Sequence, residues 1–257
     1  MDQQTVLVAE RDGIVEITLN RPDARNAFNQ QLVRELTEAF ERVLDGPAGQ
    51  VVILTGAGPS FCSGADLKEA REGTAEDYRR RTRHSQRVLE LIENLPVPTI
   101  AAINGPAVGG GLEVAAACDL RIAAATARMG YVEVRVGVAA LSRRILSLIG
   151  PGRAKDLYYT AELVDAARAE TMGLVNRVVP PEDLMPAARE WAATIQRGMP
   201  LALRYTKALI NLRSKPAQEE ACRALAEEAA VACAATEDRQ EALAAFAERR
   251  RPVWRGR

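Results

Sequence analysis

Apolar and polar positions alternate over residues 5–10 and again over 14–19, the period of two expected of half-buried strands, with Asp12-Gly13 between them as a hairpin signal. From 30 to 44 the period changes, and Leu32, Val33, Leu36, Ala39, Phe40 and Val43 fall on one face of a helix. Val51-Val52-Ile53-Leu54-Thr55 is an apolar, β-branched run closed by a glycine loop and predicts a buried strand. A helix around 75–94 follows, then a strand at 99–103 and shorter strands at 120–123 and 128–134. The alternation predicts an α/β fold. From Pro181 the texture shifts, and 189–197, 201–212 and 217–235 read as consecutive amphipathic helices with no strand between them. Their apolar residues, among them Trp191, Ile195, Leu201, Leu209, Leu225 and Val231, need a surface to pack on.

Charge and cysteine usage narrow the function classes. Lysine plus arginine (34) equals aspartate plus glutamate (34), so no overall field draws the chain to nucleic acid or an anionic membrane. Cys62, Cys118, Cys222 and Cys233 show no Cys-x-x-Cys pairing and the chain has one histidine, so no metal site is expected. Met1-Asp2-Gln3-Gln4 lacks the basic start of a signal peptide, and Asn104 and Glu113 interrupt the longest apolar stretch short of a membrane span. A cytoplasmic chain with reduced thiols is expected.

Two glycine loops carry the candidate chemistry. Gly109-Gly110-Gly111 separates the apolar run 99–103 from the alanine-rich run 114–117. Without Cβ atoms the backbone there can turn sharply and let a ligand approach its N–H groups. If 114–117 is helical, those groups lie at its positive N-terminal end, with Glu113 on the same face as Gly110. The second loop follows the strand 51–55: Gly64 sits among small residues before a helix starting near Asp66, which would expose the N–H of Ala65. Backbone donors from separate loops, converging on one carbonyl oxygen, make an oxyanion hole. The plainer alternative for either loop alone is a turn that packs a helix tightly on a sheet.

These segments give the chain a resemblance to the crotonase superfamily, the enoyl-CoA hydratases and isomerases. The matching stretches are Ser60-Phe61-Cys62-Ser63-Gly64-Ala65-Asp66-Leu67-Lys68, the run from Ile103 to Glu113 with Cys118-Asp119, and Met129-Gly130-Tyr131-Val132-Glu133; Gly173-Leu174-Val175-Asn176-Arg177-Val178 and Ala245-Phe246-Ala247-Glu248-Arg249-Arg250 follow in family order. The resemblance implies a spiral of β-β-α units over 1–190 holding the coenzyme A and catalytic site. A helical region over 191–257 would assemble trimers or dimers of trimers. It implies a 2-enoyl-CoA hydratase, with Glu113 activating water, Glu133 exchanging the α-proton, and Ala65 and Gly110 as oxyanion donors. No cofactor is expected, because coenzyme A is part of the substrate. Arg25 would meet phosphate, and Ala27, Ser63, Ala65, Asp66, Leu67, Gly109 and Gly110 would line the coenzyme A and thioester groove. Possession of both glutamates favours hydration over isomerisation.

One departure concerns the segment after Glu133. Family hydratases place a glycine-rich loop there, whereas this chain has Gly137-Val138-Ala139-Ala140-Leu141-Ser142-Arg143-Arg144. Leu141 would narrow an acyl pocket and Arg143 or Arg144 would reach a substrate carboxylate; the competing reading is an ordinary helix start with Ser142 as N-cap. The basic run from Arg79 to Arg87 reads as the wet face of a helix. The alternative, an RNA-binding or scaffold oligomer without catalysis, has little support beside zero net charge and a single nearby aromatic, Tyr78.

Overall fold

The computed structural model of the chain describes residues 4–47, 50–71, 74–213, 227, 231, 234–250 and 253. The helix expected over 217–235, with Cys222, Leu225 and Cys233, lies almost wholly outside them. A six-stranded sheet forms the frame: β1 (Val6–Arg11), β2 (Ile14–Leu19), β3 (Val51–Gly56), β4 (Thr99–Ile103), β6 (Leu120–Ala124) and β9 (Arg177–Val179), in that spatial order. β1 and β2 are an antiparallel hairpin turning at Asp12 and Gly13, whose φ of 53° and 74° suit the twist of a two-residue hairpin loop. Every later pairing in this sheet is parallel.

That parallel character explains the apolar runs. β3 and β4 are buried on both faces from Val51 to Thr55 and from Thr99 to Ile103, because helices cover the sheet on each side. On one face lies the main core, where α1 (Gln30–Leu44) contributes Leu32, Leu36, Ala39, Phe40 and Val43, and α3 (Ala75–Asn94) contributes Val88, Leu89 and Ile92. On the other face α7 (Leu184–Ile195) places Leu184, Ala188 and Ala192 against Val51, Ile53, Ile100, Ala102, Ile122 and Ala124. Each fully buried leucine or isoleucine contributes about 1.5–3 kcal/mol, so neither layer is dispensable. The boundary expected between 190 and 191 falls inside α7.

A smaller sheet of β5 (Ala107–Val108), β7 (Arg128–Gly130) and β8 (Val164–Asp165) sits beside the frame. The strand expected over 128–134 stops at Gly130; Glu133–Val136 is a 3-10 turn closed by Gly137 at φ 67°. The helix Glu237–Ala247 covers that turn, with Arg239 packed so that a Cβ at Gly137 would sit 3.3 Å from its Cα. α8 (Pro200–Arg213) is fastened by polar groups: Lys207 Nζ donates to Asp119 Oδ2 at 2.8 Å and Val97 O at 3.0 Å, and Asn211 donates to Glu93 O at 2.7 Å.

Candidate active site

Two loops are locked together before any catalytic side chain enters. Asn26 is fully buried; its amide donates to Ala57 O at 3.0 Å and Ser60 O at 2.8 Å, while its oxygen accepts from Arg21 N at 2.8 Å. Asn104 does the same from the other side, accepting from Gly56 N at 3.2 Å and donating to Gly58 O at 2.9 Å. The Arg21 guanidinium donates to Ala27 O at 2.5 Å and Asp66 Oδ2 at 3.1 Å, tying 21–27 to the loop that carries Ala65.

The direction of the Ala65 N–H follows from its neighbours. Ala65 bridges Phe28 in parallel fashion: Gly64 O accepts from Phe28 N at 2.7 Å and Asp66 N donates to Phe28 O at 3.0 Å. Alternation along extended backbone turns the Ala65 N–H the other way. That is the side on which Cys62 O accepts from Val108 N at 2.9 Å. Gly64, at φ 90°, packs so closely there that a Cβ would lie 2.8 Å from Val108 O and 3.2 Å from Gly110 N. Gly110 opens α4 (Gly110–Ala117), and first-turn N–H groups have no carbonyl four residues back to bond. The loop that carries Ala65 and the start of α4 at Gly110 therefore lie against each other.

Both carboxylates flank the same helix start. Glu113 stands in the first turn of α4, its N–H donating to Gly109 O at 3.0 Å. The Glu133 carboxylate lies against Gly109 itself, where any Cβ would collide with its Oε1. Gly109 has φ 54°, a backbone region that side chains also disfavour. The environments of the two acids differ. Glu113 Oε1 accepts from Tyr131 OH at 2.9 Å and Oε2 from Ser142 Oγ at 2.7 Å. Glu133 Oε2 is buried with no hydrogen-bond partner among the described residues.

Titration follows those surroundings. Burial pushes the Glu133 carboxyl up to about 7; the N–H groups of Glu133 and Val132 oppose this and the charge of Glu113 reinforces it. Burial raises Glu113 as well, outweighing Ser142, Tyr131, Arg144 and Arg143, which all favour its charged form. The two acids thus sit in unequal surroundings, one held by hydroxyl donors and the other by backbone N–H groups. Glu133 has a consequence for stability, too. Its carboxyl holds the proton more tightly folded than unfolded, so its contribution is fully present below about 4.5 and lost as pH rises through about 7. Across that window the wild type should lose up to 3 kcal/mol, roughly, relative to Glu133→Gln. Urea midpoints of the two proteins should diverge between acid and mildly alkaline buffer; midpoints that run parallel would refute the shift.

Other expected site residues fall as follows. Arg25 is exposed, and no partner for its guanidinium occurs among the described residues; its carbonyl accepts from Ser63 N at 3.0 Å. Ala27 is buried, its carbonyl held by Arg21. Leu67 begins the short helix α2 (Leu67–Arg71). The N–H groups of Ser63 and Asp66 donate to Arg25 O and Phe28 O, each at 3.0 Å. Arg143 and Arg144 follow the helix-start reading over the substrate-carboxylate one, since both bond Glu93 Oε2, Arg144 at 2.7 Å. Burial of Glu93 opposes its charge, but Arg144 and Arg143 outweigh this and hold it below the usual carboxylate range. Ser142 does cap α5 (Arg143–Thr160), accepting from Ile145 N at 3.2 Å. Its second bond, to Glu113, and that of Tyr131 were not foreseen, although Tyr131 stands two residues before Glu133. Burial pushes the Cys62 and Cys118 thiols up to about 12, which removes both as nucleophiles at neutral pH.

The family model for enoyl-CoA hydratase/isomerase matches residues 9–257. The chain belongs to that family. Among its relatives, the crotonyl-CoA hydratase of Syntrophomonas wolfei is 38% identical over 98% of each chain. The enoyl-CoA isomerase/hydratase fer4 of Mycosarcoma maydis is 38% identical over 97% of this chain and 95% of that protein. The 1.8 Å crystal structure of an enoyl-CoA hydratase from Bacillus anthracis superposes with a TM-score of 0.79 at 37% identity, covering 99% of this chain and all of the other. The β-β-α spiral expected of an enoyl-CoA hydratase/isomerase is the fold observed here.

Proposed function

We propose that the protein is a 2-enoyl-CoA hydratase, converting its substrate to the 3-hydroxyacyl thioester. The observation that carries this reading is the inequality of the two carboxylates beside the α4 N-terminus: Glu113 is held by two hydroxyl donors, and the buried Glu133 Oε2 has no partner among the described residues. Glu113, as the ionised base, takes a proton from water as the water oxygen bonds to C3 of the enoyl group. The displaced π electrons move through C2 to the thioester oxygen, where the N–H groups of Ala65 and Gly110 stabilise the enolate. One such donor contributes about 3 kcal/mol of barrier lowering. Glu133, protonated near neutrality, delivers its proton to C2. Glu113 ends protonated and Glu133 ionised, and exchange with solvent resets them. Gly109 presses on Glu133 and lines the same space; Arg25, Ala27, Ser63, Asp66 and Leu67 form the proposed coenzyme A side of the groove, with Arg25 free to meet phosphate.

An isomerase would move a proton on the same enolate without adding water. Turnover in H₂¹⁸O separates the two, because hydration alone places the label in the product hydroxyl. Label-free turnover would establish isomerisation, and no turnover on any enoyl-CoA would leave a binding role. The RNA-binding alternative loses support from the basic run: Arg79 and Arg83 pair with Glu76 and Arg80 with Asp77, so much of its charge is neutralised within α3. We also propose a homo-oligomer, a trimer or dimer of trimers. Leu201, Tyr205 and Leu209 share one face of α8 and are 49%, 61% and 64% exposed, a stripe suited to a second copy. No helix among the described residues is long and apolar enough to cross a membrane. The free, buried thiols of Cys62 and Cys118 suit a reducing cytoplasm.

A further inference from the structure

We infer that Ser142 is a positioning residue for Glu113, and that with Tyr131 and Tyr158 it forms a hydroxyl cradle holding that carboxylate. The inference deepens the proposed hydration reading and rests on it for its catalytic consequence. Four contacts close a ring. Ser142 Oγ donates to Glu113 Oε2 at 2.7 Å, and Tyr131 OH donates to Glu113 Oε1 at 2.9 Å. Ser142 N donates to Tyr158 OH at 2.9 Å, and the Tyr158 ring stacks on Tyr131 with centroids 4.2 Å apart.

Proton counting gives the ring its direction. Ser142 Oγ accepts from Ile145 N, so its one hydroxyl proton is left for the carboxylate. Tyr131 likewise has one proton to give, and burial with the Glu113 charge beside it keeps that phenol protonated. Each carboxylate oxygen thus receives a donor, an arrangement that favours the ionised acid and opposes the burial that raises it. Each oxygen also has a second lone pair, which leaves room to accept from a water. The charged and titratable groups around Glu113 are Tyr131 and Glu133 from the β7 side and Arg143, Arg144 and Tyr158 from α5, the two arginines being anchored on Glu93 of α3. Ser142 touches no reacting atom. It aims the base by fixing one oxygen to the rigid start of α5.

The test uses Ser142→Ala, Ser142→Gly and Ser142→Thr in the full-length protein. Glycine keeps an acceptable N-cap but has no hydroxyl, whereas threonine keeps both. This separates a lost cap from a lost bond to Glu113. Both Ala and Gly should lower kcat by roughly 10- to 100-fold with KM little changed, the range expected of a hydrogen bond to a charged group. The acid limb of the kcat profile should move up by about one pH unit, because a lost donor makes Glu113 harder to ionise. Threonine should restore both. The Glu113 carboxyl ¹³C resonance, assigned by its absence in Glu113→Gln, gives a readout independent of turnover. Its titration should move up in Ala and Gly. An unmoved titration overturns the inference, as does a moved titration with wild-type kcat, which would make the cradle structural only. A wild type that hydrates no enoyl-CoA would instead remove the hydration reading, while the ¹³C titration would still decide whether Ser142 controls Glu113.

Discussion

Glu113→Gln and Glu133→Gln are each expected to lower hydration by about 10²–10⁴-fold, the usual contribution of a positioned acid or base. Coenzyme A affinity should be nearly unchanged in both. Their effects on the fold should differ. At Glu113 both oxygens accept hydroxyl protons, so an amide nitrogen in one position turns its donors toward the donor of Tyr131 or Ser142. Modest destabilisation should accompany the kinetic loss there. At Glu133 the buried Oε2 has no partner to lose among the described residues, and an amide removes the cost of a buried charge. Glu133→Gln should therefore be at least as stable as wild type at alkaline pH while being as poor a catalyst. Steady-state kinetics and urea melts on the same preparations decide both halves. Wild-type turnover in either variant would remove that residue from the mechanism.

The second large effect is expected from the glycines, and it is not uniform along the triplet. Gly111→Ala would put a Cβ into the carbonyl oxygen of Cys62 and within 2.7 Å of that residue's carbonyl carbon and Cβ. Cys62 cannot retreat, because it is fully buried and its backbone bonds Pro106 and Val108. The cost should reach or exceed the roughly 1–3 kcal/mol typical of overpacking. Gly109→Ala adds a backbone penalty at φ 54° and displaces the Glu133 carboxylate, so activity should fall with stability. Gly110→Ala differs from both. The nearest atoms to its Cβ would be those of the Phe28 ring and Gly64 Cα at 3.6–3.8 Å, ordinary contact distances. This variant should fold normally and lose turnover through crowding of the thioester beside the Gly110 N–H. Equal urea midpoints for Gly110→Ala and Gly111→Ala would contradict the packing just described.

Much of this arrangement was legible in the linear order of residues. The continuous apolar runs 51–55 and 99–103 announce strands covered on both faces, and the helical period from Leu32 to Val43 marks a face that packs on them. Those signals are strong because each residue's place in its element fixes which way its side chain points. Glu113 was legible for the same local reason, since a glycine turn before an alanine-rich run sets a helix start and its first turn. The motif resemblance supplied Glu133 and Ala65, and the structure brings their segments to the same helix start.

Other features depend on contacts between segments far apart in the chain. Residues 128–134 look like one strand, yet the chain turns after Gly130, because the helix Glu237–Ala247 and Gly137 hold Glu133 in a 3-10 turn against Gly109. Arg143 and Arg144 have the composition of an anion site, and only the approach of α3 reveals that Glu93 already occupies them. Ser142 reads as a helix cap from its neighbours; its bond to Glu113, 29 residues earlier, exists because α4 and α5 pack side by side. Local sequence determines element type and the kinds of chemical group available, since periodicity and capping act over a few residues. Which acid keeps its proton, and which glycine has no room, are set by burial and by partners from distant segments, and those are properties of the packed structure alone.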